Sequence, residues 1–144
     1  MNEIKYNNYK EQAKRLKKAL ENQFYLEAIF IEYSILEDRA DAILRYAKQE
    51  IISDRYVSID RKLTKIKNLS LNKCLFLNKY FNEEFIMLLK EWKEKRNPLI
   101  HALMKRSNSR LELEKLALDG QELMKIFARK SMNYKNFLIR RNLL

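Results

Sequence analysis

The scarcity of glycine and proline constrains the fold of this chain more than any other feature. Its 144 residues include one glycine, Gly120, and one proline, Pro98. Because hairpins and tight turns rely on these residue types, a β-rich architecture would lack its turn chemistry. Long helices joined by few loops need much less of it, so the sequence predicts an all-α fold. The length corresponds to a single domain, residues 1–144, which can hide roughly 68–70% of its unfolded surface and build an ordinary core.

The charge and cysteine content narrow the class of protein further. Thirty Lys and Arg against nineteen Asp and Glu give a formal net charge of +11, which attracts RNA, DNA and anionic membrane surfaces alike. Residues 1–10 contain no apolar leader region, and no stretch approaches the roughly eighteen apolar residues of a membrane span. Cys74 is the only cysteine, which excludes an intramolecular disulfide and a cysteine zinc site and, among apolar neighbours, predicts a packed thiol. We therefore expect a soluble, cytoplasmic protein with no metal, no cofactor and no membrane partner.

Apolar residues recur at helical spacing through residues 6–48. The pattern predicts two helices in series with a break near 21–23, or one long bent helix, since neither glycine nor proline marks the break. The polar segment 51–60 is predicted to be the main loop, with Ser58 or Asp60 capping a short third helix. The predicted apolar positions are Tyr9, Ala13, Leu16, Leu20, Phe24, Ala28, Ile31 and Ile35, with Ile29, Leu36, Ala40, Ile43, Leu44 and Ala47 beside them.

The second half of the chain predicts two more helices. Asn82 can cap the first of them, and the two glutamates that follow suit the positive end of a helix dipole. One face of this helix carries Phe85, Leu88, Leu89 and Trp92, which is predicted to lie in the core, and the same spacing continues to Arg96. The last helix is predicted from Ser109 to about Arg140, with Gly120 weakening its middle. Its apolar positions are Leu111, Leu113, Leu116, Leu118, Leu123, Ile126, Phe127 and Phe137.

The segment Arg96-Asn97-Pro98-Leu99-Ile100-His101 joins these two helices and carries the candidate chemistry. Histidine can both take and give protons near neutral pH, and the guanidinium fork of arginine matches phosphate oxygens. Asn97-Pro98 interrupts the helical pattern, yet Asn and Pro are also favourable first residues of a helix. A new helix from Pro98 would let a kink aim Arg96 and His101 at one point. In an uninterrupted helix the two side chains would diverge by about 140°.

This segment resembles the motif of HEPN domains, small helical bundles whose ribonuclease members carry an arginine, a polar residue, variable residues and a histidine at the junction of two late helices. Residues 27–44 are also similar to the long second helix of the family, with Glu37 and Asp38 among apolar residues. We expect those two acids to pair with Arg39 or Arg45. The resemblance implies an up-and-down bundle of about five helices that dimerises through the helices bearing the motif.

The resemblance also implies a function, that of a metal-independent endoribonuclease of the toxin or phage-defence type, with RNA as substrate and an antitoxin or regulatory protein as a further partner. Arg96 and His101 would be its catalytic residues, and Asn97 would take the polar position beside the arginine. Leu103 stands where members paired with a nucleotidyltransferase antitoxin have tyrosine, so we do not expect control by modification of that tyrosine. The side chains expected to bind flanking phosphates are Lys95, Lys105 and Arg106.

A homodimer follows from the chemistry as well. Cleavage through the 2′-hydroxyl needs a base, an acid and donors for the charge on phosphorus, whereas one chain supplies a single histidine. Two copies of His101 and Arg96 in a symmetric pair are the simplest complete set.

Other interpretations of the same residues remain open. His101 could be an exposed or core histidine without a catalytic role, and Arg96 could pair with Glu91 or Glu94. The basic run 14–18 could be a solvated helix face or part of an RNA groove. The chain could therefore be a non-catalytic HEPN-like module that binds RNA, a nucleotide or a protein. A basic DNA-binding protein is a further alternative, although the sequence contains no convincing helix-turn-helix.

Overall fold

The structure is a computed structural model that describes residues 3–47, 57–102, 105 and 109–144. These residues form five α-helices and one 3-10 helix without a strand, which confirms the all-α prediction. Among them, no helix is both long and apolar enough to cross a membrane. The elements are α1 Glu3–Glu21, α2 Tyr25–Tyr46, α3 Ile59–Leu71, the 3-10 helix Cys74–Lys79, α4 Glu83–Ala102 and α5 Ser109–Arg140.

The break between α1 and α2 falls where the hydrophobic pattern predicted it. Gln23 has a φ of 60°, the left-handed conformation that often follows a helix end. The next backbone N–H, that of Phe24, donates to the carbonyl of Ala19 at 2.8 Å and so satisfies one of the last carbonyls of α1. The chain therefore forms two separate helices, and the alternative of one bent helix is wrong.

Two polar side chains begin the helices that the sequence assigned to them. The hydroxyl of Ser58 accepts from the backbone N–H of Arg61 at 3.2 Å, and Oδ1 of Asn82 accepts from that of Phe85 at 2.8 Å. Such caps contribute typically about 1 kcal/mol each. Ser58 rather than Asp60 is therefore the cap of α3. Residues 51–56 of the predicted loop lie outside the described residues.

The helices α2 and α5 run parallel, which their contacts show at both ends. At the start of the pair, Arg110 Nη2 donates to Gln23 Oε1 at 2.8 Å. At the other end, Lys135 Nζ lies 5.9 Å from the ring centroid of Tyr46. Since sequence position rises along both helices together, the two elements point the same way.

Helix α4 runs opposite to both α3 and α5. Against α5, Phe85 lies near Phe127 and Trp92 near Leu116, so the order reverses. Against α3, the pairs Lys93 with Asp60 and Lys90 with Thr64 reverse in the same way. The helices α2, α3 and α5 thus share one direction. This corrects the up-and-down order implied by the resemblance, in which each successive helix would reverse.

Most of the apolar positions predicted for α2 are buried in the core, whereas some of those predicted for α4 and α5 are exposed. Leu88 is 49% exposed, and Ile86 is buried in its place, because α4 turns the arc through Phe85, Ile86 and Leu89 toward its neighbours. On α5, Leu111 and Leu118 are exposed as well. The largest fully buried side chains are Tyr134, Phe81, Phe127, Ile29, Leu36, Ile43, Leu63, Ile66, Leu77, Ile86, Leu89 and Leu138.

The segment between α3 and α4 is a strained 3-10 helix. Lys73, Leu75 and Phe76 have φ values of 54°, 43° and 63°, in the left-handed region that side chains other than glycine seldom occupy. The hydroxyl of Tyr134 donates to the carbonyl of Leu75 at 3.2 Å and ties the segment to α5. Cys74, predicted to be packed, is half-buried.

Candidate functional site

The candidate motif lies within one continuous helix. Helix α4 extends to Ala102 with Pro98 inside it, so the alternative of a new helix beginning at Pro98 is wrong. The side chain of Asn97 accepts a hydrogen bond from Arg96 rather than capping a new helix, and Leu99 is buried, which holds the turn after Pro98 in the bundle. Arg96 and His101 therefore point about 140° apart around the axis of α4.

Two aromatic rings of α2 fix the guanidinium of Arg96. Its Cζ lies 4.2 Å from the ring centroid of Tyr33 and 5.2 Å from that of Phe30. Its Nη1 donates to Oδ1 of Asn97 at 3.2 Å, while its Nε is buried and has no hydrogen-bond partner within the described residues. Each cation–π contact contributes about 0.5–2 kcal/mol. The result is a preoriented cation with unused hydrogen-bonding capacity.

His101 lies on the last turn of α4 and is exposed, where an imidazole can approach a ligand or a second chain. Asn97 is exposed one turn earlier. Lys105 is also exposed, and its backbone N–H donates to the carbonyl of Ala102 at 2.9 Å. Arg106 and Leu103 lie outside the described residues. The structure thus brings Arg96 and Asn97 together, while His101 faces another side of the helix.

A groove of about 570 Å³ between α4 and α5 borders the motif. Its charged lining includes four carboxylates and two lysines: Glu91, Glu94, Glu112, Asp119, Lys95 and Lys115. Lys95 therefore lies among acids, which reduces its attraction for phosphate relative to Lys105. Within the described part of the chain, Arg96 forms no ion pair with Glu91 or Glu94, so that alternative is wrong.

The sequence interpretation did not foresee the buried carboxyl of Glu32. This side chain is fully buried, and neither oxygen has a hydrogen-bond partner among the residues that the structure describes. Burial raises the pKa of Glu32 to about 9, so the group is neutral at pH 7. A Cβ at Gly120 would overlap the carboxyl of Glu32 and the ring of Trp92, so glycine leaves the space that the acid fills. An acid between the buried residues Ala28 and Leu36, one turn away on each side, was the available signal.

Two other predictions about side chains near the motif are confirmed. Trp92 is buried, and its Nε1 donates to the carbonyl of Leu116 at 2.9 Å, so it is a core residue. Asp38 pairs with Arg39 at 2.6 Å, as expected for one of the two acids of α2. Trp92 therefore packs in the core, and Asp38 forms an ion pair within the bundle.

The chain matches no model of a protein family, no curated protein and no solved structure. The functional conclusion therefore depends on the chemistry of the site. Arg96 and Asn97 can bind an anion, and His101 can transfer a proton, but a single chain does not aim all three at one atom.

Proposed function

We propose that the chain is a metal-independent endoribonuclease of the HEPN type, acting on RNA in a toxin or phage-defence role. The observation that carries the proposal is the guanidinium of Arg96, which Tyr33 and Phe30 hold in place on the same helix as an exposed His101. A fixed cation suits a phosphate, and an accessible imidazole suits proton transfer.

The active site in this proposal is composite and lies at a homodimer interface. Because Arg96 and His101 diverge by about 140°, one chain does not present both to the same phosphate. A two-fold axis passing near the end of α4 would bring His101 of one protomer beside Arg96 of the other, and the second pair would follow by symmetry. The angle of about 140° keeps Arg96 and His101 of one chain apart, and it therefore favours contact between Arg96 of one protomer and His101 of the other.

The chemistry assigns a role to each residue. One His101 takes the proton of the 2′-hydroxyl as its oxygen attacks phosphorus, and the His101 of the other protomer protonates the leaving 5′-oxygen. The two Arg96 side chains stabilise the negative charge that grows on the phosphorus oxygens. Lys105 and Arg106, and to a smaller extent Lys95, bind flanking phosphates. The products are a 2′,3′-cyclic phosphate and a 5′-hydroxyl, and the step needs no metal ion.

The test is cleavage of total tRNA and of a generic single-stranded RNA in EDTA, with the product ends identified. Arg96→Ala and His101→Ala are each expected to slow cleavage by about 10²-fold or more, because each removes a group that acts in the transition state. The matched control is Glu84→Gln, an exposed residue in the first turn of α4, which should cleave like the wild type.

Full activity in His101→Ala would overturn the proposal, as would products that lack the cyclic phosphate. A wild-type protein that binds RNA and leaves every substrate intact would favour the non-catalytic binding module. Preference for duplex DNA would favour the DNA-binding alternative.

A further inference from the structure

Two segments of the chain that lie outside the motif contain basic residues and no acidic ones. Residues 61–82 and residues 125–144 each contain six Lys or Arg and no Asp or Glu. The two segments pack against each other through the 3-10 helix and the end of α5, where the rings of Phe76 and Phe137 have centroids 5.5 Å apart. This end of the bundle lies beside the start of α4, whereas Arg96 follows about 20 Å further along that helix.

Four side chains at this end form a cation–aromatic cluster: Phe76, Lys79, Phe137 and Arg141. Lys79 Nζ lies 5.2 Å from the ring centroid of Phe76 and 5.5 Å from that of Phe137. Arg141 Cζ lies 5.2 Å and 4.7 Å from the same two centroids. Two like charges thus share two rings, and within the described ranges neither cation forms an ion pair with Asp or Glu. An anion placed between them would gain attraction from both.

The backbone beneath the cluster is held in an unfavourable conformation. Lys73, Leu75 and Phe76 each have a positive φ, which costs of order 1–3 kcal/mol per residue and persists only where the surroundings impose it. Here the hydroxyl of Tyr134 holds the carbonyl of Leu75. Phe76 in this segment is 39% exposed, and strain of this kind is concentrated at binding sites.

We propose that the cation–aromatic cluster binds the sugar–phosphate backbone of single-stranded nucleic acid, at a surface separate from Arg96 and His101. Lysine and arginine bind phosphates, and a guanidinium plane also stacks on bases. Single-stranded nucleic acid is a better fit than a lipid bilayer, because cations lie over both phenyl rings of the cluster. Binding at this cluster is independent of RNA cleavage. It rests on the proposed function only in that RNA is chosen as the first probe.

The experiment measures fluorescence anisotropy of a labelled oligouridine of about 20 nucleotides as the salt concentration is varied. All proteins carry His101→Ala and the buffer contains EDTA, so the result is the same whether or not the chain is a ribonuclease. The cluster variant is Lys79→Gln with Arg141→Gln. The matched control, Lys10→Gln with Arg61→Gln, removes the same charge from exposed positions on α1 and α3 that lie outside the cluster and outside the basic run 14–18.

The cluster variant is expected to bind at least about tenfold more weakly, and its slope of log affinity against log salt should fall by about 1.4, or 0.7 for each lost phosphate contact. The control should change affinity less than about twofold. A second variant, Phe76→Leu, keeps the apolar packing while removing the ring, and it should weaken binding several-fold without the change in slope. Oligothymidine should bind comparably to oligouridine, since the backbone is recognised.

Three results would overturn the proposal. Equal losses in the cluster variant and the control would mean that net charge alone matters. An unchanged affinity in a cluster variant that melts like the wild type would show that the cluster does not bind the probe. Binding to vesicles containing phosphatidylserine, without binding to either oligonucleotide, would assign the surface to a membrane.

Discussion

Glu32 places an acidic side chain in the core of the bundle. An acid in the core either pairs with a cation or stays neutral, and here no hydrogen-bond partner is present within the described residues. Burial raises the pKa of Glu32 to about 9, against an ordinary value of 4.5. The folded protein therefore keeps the proton through the pH range in which the unfolded chain releases it.

A pH dependence of stability follows from this difference. Below pH 4.5 both states hold the proton, and between about 4.5 and 9 the unfolded state gains stability from ionisation. We expect the free energy of unfolding to fall as pH rises, with Glu32 contributing up to about 1.4 kcal/mol per pH unit. Glu32→Gln cannot ionise and should remove that slope.

The measurement is urea unfolding of the wild type and Glu32→Gln between about pH 5 and pH 8. Glu37→Gln serves as the control, since Glu37 is less buried and lies on the same helix. The stability difference between wild type and Glu32→Gln should grow steadily with pH. A constant difference would mean that Glu32 is ionised in the folded protein.

At the scale of the elements, α4 and α5 each contain a residue that disfavours a helix interior, and packing explains both. Pro98 lacks a backbone donor, yet the buried Leu99 beside it holds α4 against α5. Gly120 costs about 1 kcal/mol relative to alanine by intrinsic propensity, and it provides the space for Glu32 and Trp92. Tertiary contacts outweigh local propensity at both positions.

Gly120→Ala is therefore expected to destabilise the protein, although alanine is the better helix former. The added methyl group overlaps the carboxyl of Glu32 and the ring of Trp92, and overpacking of this kind costs about 1–3 kcal/mol. The measurement is the shift of the urea midpoint at unchanged m-value.

A double-mutant cycle with Glu32→Ala provides the control. Shortening the acid leaves room for the methyl group, so Gly120→Ala should cost at least about 0.5 kcal/mol less in that background. An increase in stability from Gly120→Ala alone would contradict the packing at this position.

At the scale of the whole molecule, the charges are distributed unevenly over the bundle. Four carboxylates line the groove beside the motif, whereas the sequence segments 61–82 and 125–144 carry bases without acids. RNA approaching the motif from the side of the groove would meet repulsion. A composite site at the C-terminal end of α4 therefore fits the charge pattern better than a site within the groove.

The composite site predicts how activity responds when inactive subunits are mixed in. Wild type and His101→Ala are mixed in equal amounts, unfolded and refolded together so that subunits exchange, and assayed at constant total protein. If one cleavage site needs His101 from both protomers, only dimers with two wild-type chains act, and activity falls to about a quarter. Sites contained within one chain would leave about half. Dilution with Glu84→Gln is the control and should leave activity unchanged.

Local residue chemistry made several elements predictable. The break before α2, the caps at Ser58 and Asn82 and the burial of Trp92 each depend on a few neighbouring residues, so the sequence was sufficient. The exposure of Leu88 was not predictable, because the buried arc of α4 depends on which helices pack beside it. The same reason applies to the shared direction of α2 and α5.

The sequence by itself determined the helical class, most helix ends and the residues capable of chemistry, because turn chemistry, capping and hydrophobic period act over a few residues. Only the tertiary structure decided that α4 continues through Pro98, that Arg96 lies against Tyr33, and that Glu32 is buried beside Gly120. These outcomes depend on contacts between residues far apart in the chain. No local pattern specifies them, since packing between helices decides which faces meet.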